Sequence, residues 1–128
     1  MMFHYTVETR KSIEEAISSI TEALKEEKFR VQWQFNIKDK LHEKGVELDK
    51  EFVVLEVCNP NEAKKVLTAN SLVGYFLPCK IVVYEEQNKT KIGMPKPTQL
   101  INMVADEELT SVAKDIEQRL ISCIEKAK

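Results

Sequence analysis

Glycine and proline are scarce, three and four in 128 residues, which leaves little material for a linker, a low-complexity tail or a loop-dominated fold. A block of one charge is missing too. The 19 basic side chains stand against 21 acidic ones, and the two signs alternate to a net charge of −2. Nucleic acid recognition needs a concentrated positive field, so no nucleic-acid partner is expected. The longest charge-free stretch, which contains Asn70 to Cys79, is well short of the ~20 apolar residues of a bilayer span and holds Gly74 and Pro78. No membrane partner is expected. The start, Met1 to Tyr5, has neither a basic leader nor an apolar core of the kind export requires, and three cysteines without close spacing read as reduced thiols. A cytoplasmic location and one domain over residues 1–128 are the expectation.

Motifs of familiar chemistries are absent as well. There is no Gly-x-Gly-x-x-Gly, no phosphate-binding Gly-rich Lys loop and no nucleophile elbow, so phosphotransfer and dinucleotide chemistry lose their usual support. No two cysteines or histidines are closely spaced, which argues against a structural zinc site. His4 and His42 read as solvated side chains, and neither a metal nor a cofactor is expected.

Periodicity organises what is there. Phe3, Tyr5 and Val7 alternate with polar neighbours, the two-residue period of a strand. Ser12 and Glu15 form a capping box ahead of Ile13, Ala16, Ile17, Ile20, Ala23 and Leu24, which predicts a helix over about 13–27. Phe29, Val31, Trp33 and Phe35 predict a strand with one buried aromatic face, placing Trp33 in the core. Tyr84 is expected there too. A short helix follows, ended by Gly45. The runs 52–57 and 81–84 are apolar at nearly every position and predict central strands covered on both faces. Between them Asn59 caps a helix with Pro60 at its first position. Turn chemistry at Gln87-Asn88-Lys89 leads to a lysine-rich edge strand ending at Met94-Pro95. Thr98 caps a short segment, and a long helix starts near Asp106–Glu108, with Leu109, Val112, Ala113, Ile116, Leu120 and Ile124 on one face. Cys123 sits on that apolar stripe as a packing residue. The element order is that of an α+β domain, with helices packed on a sheet.

The block Leu55-Glu56-Val57-Cys58-Asn59-Pro60, then Leu77-Pro78-Cys79, Val83-Tyr84-Glu85-Glu86 and Pro97-Thr98 resembles the family called domain of unknown function 302. The resemblance is specific over residues 53–98 and diffuse elsewhere. It implies a TATA-binding-protein-like fold, a β-α-β4-α layout with a curved, mainly antiparallel sheet, in small bacterial or archaeal proteins with no assigned reaction. No catalytic residue comes with it.

Candidate functional residues are Cys58, Asn59, Cys79, Glu56 and Glu85. Cys58 lies just ahead of the Asn59 cap, where the positive end of a helix dipole favours thiolate. Glu56, Glu85 and Glu86 are read as carboxylates at the cysteine end of the sheet, able to act as acid and base if burial raised one pKa. Two topologies remain open. Antiparallel neighbours, as the resemblance implies, would bring Cys58 and Cys79 to one edge; a parallel crossover would hold them roughly 20 Å apart. Two functions remain open as well. The preferred one is a non-enzymatic binding or interaction module, enclosing a small apolar ligand or presenting a homodimer face. The apolar segment Leu72 to Leu77 motivates it, because it exceeds what a surface loop normally carries. The other is a thiol-based redox, persulfide or soft-ligand site at Cys58 and Cys79.

Overall fold

The computed structural model describes residues 2–128. Five strands form one sheet in the order β1-β5-β4-β3-β2, with every neighbour antiparallel: β1 His4–Thr9, β2 Arg30–Asn36, β3 Phe52–Cys58, β4 Cys79–Glu86 and β5 Lys89–Pro95. The helices are α1 Ile13–Glu26, α2 Ile37–Glu43, α3 Pro60–Ala69, α4 Pro97–Asn102 and α5 Thr110–Ala127, with 3-10 turns at Ser71–Tyr75 and Glu107–Leu109. This is the curved antiparallel α+β architecture that the resemblance implied.

Local chemistry explains the best-placed boundaries. The Ser12 hydroxyl accepts from the Glu15 N–H while the Glu15 carboxylate accepts from the Ser12 N–H, and α1 begins at the next residue. Gly45 takes φ +78° after α2, and Gln87 and Asn88 take φ 52° and 64° at the β4–β5 hairpin, the left-handed geometry such a turn needs. Helices α1 and α5 pack together over one face of the sheet. Ile20, Leu24, Leu55, Ile81, Val83, Ile92, Leu120 and Ile124 are sealed between them. A second apolar cluster joins Val66 of α3, Val73, Ile101 of α4, Leu109 and Ala113. Glu117, buried on α5, accepts from the Thr98 N–H and hydroxyl and so holds the start of α4.

Several expectations are overturned. Thr98 does not cap α4, which starts at Pro97 with Lys96 at the cap position. Strand β5 is interior, lying between β1 and β4, so the lysine-rich segment is no edge. The outer face of β3 and β4 is not roofed by the helices: Phe52, Val54 and Val82 are only partly buried, whereas the residues between them are fully so. Trp33 is 53% exposed, because the β2–β3 register shifts between Val31 and Trp33. Val31 stands opposite Val57 on the helix side, but Trp33 stands opposite Glu56 and Phe35 opposite Val54 on the other face. One inserted residue turns the rest of the strand over. Tyr84 lies on that open face too, stacked on Phe52 at 5.1 Å between ring centroids.

Candidate functional site

The antiparallel register of β3 and β4 pairs Val57 with Cys79, so Cys58 ends one strand beside the start of the other. The two cysteines therefore lie at a common rim, as the antiparallel topology required. With Phe29, Asn59, Glu62 and Leu77 they line a gap of about 30 Å³ at the start of α3. Asn59 is buried and works as the helix cap, its Oδ1 accepting from the N–H groups of Asn61 and Glu62 at 3.1 and 3.2 Å. All three cysteines are free.

Electrostatics at this rim run against thiolate at Cys79. Burial pushes its thiol from the ordinary 9.0 up to about 11, and the nearby Cys58 adds to the rise. Burial, followed by the negative charge of Glu27, does the same to Cys123, up to about 11. At neutral pH Cys79 is a protonated, polarizable, largely apolar group.

Glu85 and Glu86 do not share the site. They sit at the hairpin end of β4, opposite Thr90 and Lys89, six or seven residues from Cys79 and so roughly 20 Å along the strand. Glu86 is held ionised by its hydrogen bond to Lys50 at 2.8 Å and by that ammonium's charge. Glu56 does lie at the cysteine end, opposite Lys80, with 3.8 Å between carboxylate and ammonium. The carboxylate that joins the thiols is Glu62, which the sequence reading passed over. Its Oε1 reaches Arg119 at 3.5 Å and Lys65 at 3.6 Å, while its Oε2 is buried without a hydrogen-bond partner among the described residues. Its position three residues after the Asn59 cap, where a capping-box acid would stand, was the available signal.

Beside the cysteines opens a larger pocket of about 380 Å³. It is the seam between the two apolar clusters. Met94, Ile116 and Leu120 of the first and Val66, Val73, Ile101, Leu109 and Ala113 of the second face each other across it. Cys79, Phe76, Leu77 and Leu100 complete an almost wholly apolar wall, and Glu56 and Lys80 are its charged members. The segment Leu72 to Leu77 divides between pocket and solvent: Val73 is buried, Val73, Phe76 and Leu77 line the pocket, Tyr75 lines it while staying largely exposed, and Leu72 is exposed. Among the described residues no three His, Cys, Asp or Glu side chains gather as a metal site would need, and no helix is long and apolar enough to cross a membrane.

Comparison with known proteins agrees with this architecture. A crystal structure of an uncharacterized conserved protein DUF302 from Bacillus stearothermophilus is 52% identical, with a TM-score of 0.97 and full coverage of both chains. No curated protein matches the chain. The model of the family described as domain of unknown function DUF302 matches residues 5–127, and the chain belongs to that family.

Proposed function

We propose that this protein is a non-enzymatic binding module that takes a small apolar ligand into the seam between its two apolar clusters. The observation that carries this reading is the pocket of about 380 Å³, lined by buried aliphatic side chains and within the ~300–1,000 Å³ typical of small-molecule sites. Holding two apolar clusters apart forfeits packing that an occupant would restore. The protonated Cys79 suits such a wall.

Fluorescence titration with the apolar probe N-phenyl-1-naphthylamine tests it. The native chain should bind one equivalent saturably. Ala113→Leu, which adds three carbons to the α5 wall, should weaken binding about tenfold or more and raise folding stability by about 1 kcal/mol, since part of the seam fills. Absent binding, or binding indifferent to the substitution, would contradict the proposal.

Thiol chemistry at Cys58 and Cys79 is the second reading, favoured by their shared gap beside the unpartnered Glu62 oxygen. It needs a reactive thiolate near neutral pH. Alkylation of the native chain at about pH 8 separates the two readings. The pocket reading expects Cys79 to stay unmodified until unfolding; fast native-state modification of Cys79 would favour the thiol reading.

A further inference from the structure

We infer that α3 and the 3-10 turn Ser71–Tyr75 form a hinged lid on the apolar pocket, swinging as one body to pass a guest, an inference that rests on the pocket reading. The chain leaves the sheet at Cys58 and re-enters it at Cys79, and the β3–β4 register sets Val57 opposite Cys79. Both ends of the segment Asn59 to Pro78 are thus attached side by side at one rim. The segment can turn about that single line without stretching either connection. Within it, α3 and the turn pack on each other, and a Cβ on Gly74 would meet Leu67 Cδ2 at 3.2 Å. The two pieces move together.

Their hold on the rest of the fold is slight. Helix α3 buries only Val66 of its ten residues and the turn only Val73 of its five, against seven of eighteen in α5. Val66 and Val73 both line the pocket, so the apolar contact that closes the lid is the one the pocket interrupts. Elements with few buried apolar side chains open locally at low free energy, and lids come from that class. Two polar tethers complete the closure. Asn70 Nδ2 donates to Asp106 Oδ2 at 3.2 Å, and Glu62 Oε1 lies 3.5 Å from Arg119. Arg119 is held independently by the Glu27 carboxylate at 3.1 Å and the Glu27 carbonyl at 2.7 Å, so it stays in place when Glu62 leaves. Glu62 Oε2, buried without a hydrogen-bond partner among the described residues, reaches water when α3 swings out, which offsets part of the cost of opening. The α4 wall is fixed by contrast, since it packs along α5 and the buried Glu117 carboxylate accepts from the Thr98 N–H and hydroxyl.

Native-state hydrogen exchange, followed by NMR at about pH 7, tests this. In the free chain the amides of Ala63–Ala69 should exchange about 100-fold or more faster than those of Ile116–Ile124, and saturating N-phenyl-1-naphthylamine should slow them. Asn70→Asp keeps the Oδ1 that accepts from the Leu72 N–H but sets an oxygen against the Asp106 carboxylate. The tether is made in the closed lid with or without a guest and is absent only while the lid is open. Its loss should therefore raise both the association and the dissociation rate of the probe about tenfold, change Kd by less than about threefold, and leave exchange in α5 unchanged. An α3 as protected as α5 in the free chain, or an Asn70→Asp chain whose Kd moves as far as its rates, overturns the inference. Local opening of α3 in a chain that binds no probe contradicts the pocket reading and supports the hinge; saturable binding with α3 fully protected does the reverse.

Discussion

Ile81→Ala is expected to destabilise the fold by about 3–4 kcal/mol, seen as a fall of roughly 10–15 °C in the thermal midpoint. Ile81 is fully buried on β4, the central strand, and stands opposite Leu55 of β3, also fully buried. Both point into the cluster that α1 and α5 seal against the sheet. Neither strand can shift to refill the space, because β4 is bonded to β3 and β5 on its two sides and a one-residue slip would turn its buried row outward. The removed carbons therefore leave a cavity in place of a collapsed core. Val82→Ala on the same strand points to the open face and should cost much less. Calorimetry on the pair checks the contrast, and equal losses would contradict the assignment of the two faces.

Stability should fall as the pH rises between about 9 and 11. Cys79 ionises near 9.0 in an ordinary setting but is pushed up to about 11 in the fold, first by burial and then by Cys58. Between those values the unfolded chain has lost the thiol proton and the folded chain has kept it, so each step up in pH favours unfolding. The contribution is whole below about pH 9 and is gone once the folded thiol ionises near 11. For Cys79 the gap corresponds to about 2–3 kcal/mol. Cys123, also raised to about 11, acts in the same direction, as does Tyr5, whose hydroxyl donates to Glu125 and is raised by that bond. Urea midpoints across this range, measured for the native chain and for Cys79→Ala, isolate the Cys79 part. The native midpoint should drop faster than the variant's, and parallel curves would contradict a protonated, partly buried Cys79.

How much of this was legible in the sequence depends on whether the deciding interaction is local. The α1 start at Ser12 and Glu15, the α3 start at Asn59-Pro60 and the stop at Gly45 were readable because a cap or a left-handed residue acts within a few positions. The meeting of Cys58 and Cys79 followed from the motif resemblance, which implied antiparallel strands; spacing alone left the parallel alternative open. Trp33 was misplaced because alternation over Phe29, Val31, Trp33 and Phe35 is unbroken in sequence, whereas the bulge that reverses the last two exists only in pairing with β3. The interior place of β5 depends on β1 returning from the far end of the chain to pair with it, a contact no local pattern records. Glu85 was grouped with the cysteines by its motif neighbours, yet the strand between them sets it at the opposite end. The pocket was legible only in part. The segment Leu72 to Leu77 pointed to it, but it arises where two apolar clusters fail to close on one another, and lining residues such as Val66, Ile101, Ala113, Ile116 and Leu120 read as ordinary core.

The uptake of a small apolar guest into that seam is the central claim, and methyl-resolved NMR of the native chain during titration with N-phenyl-1-naphthylamine tests it most directly. Saturable shifts confined to the methyl groups of Val66, Val73, Leu77, Met94, Ile101, Leu109, Ala113 and Ile116, with Ile20, Leu24 and Val83 unmoved, are the predicted result. Shifts that scatter over the exposed apolar side chains Leu67, Leu72 and Met103, or no shift at saturating probe, would contradict it.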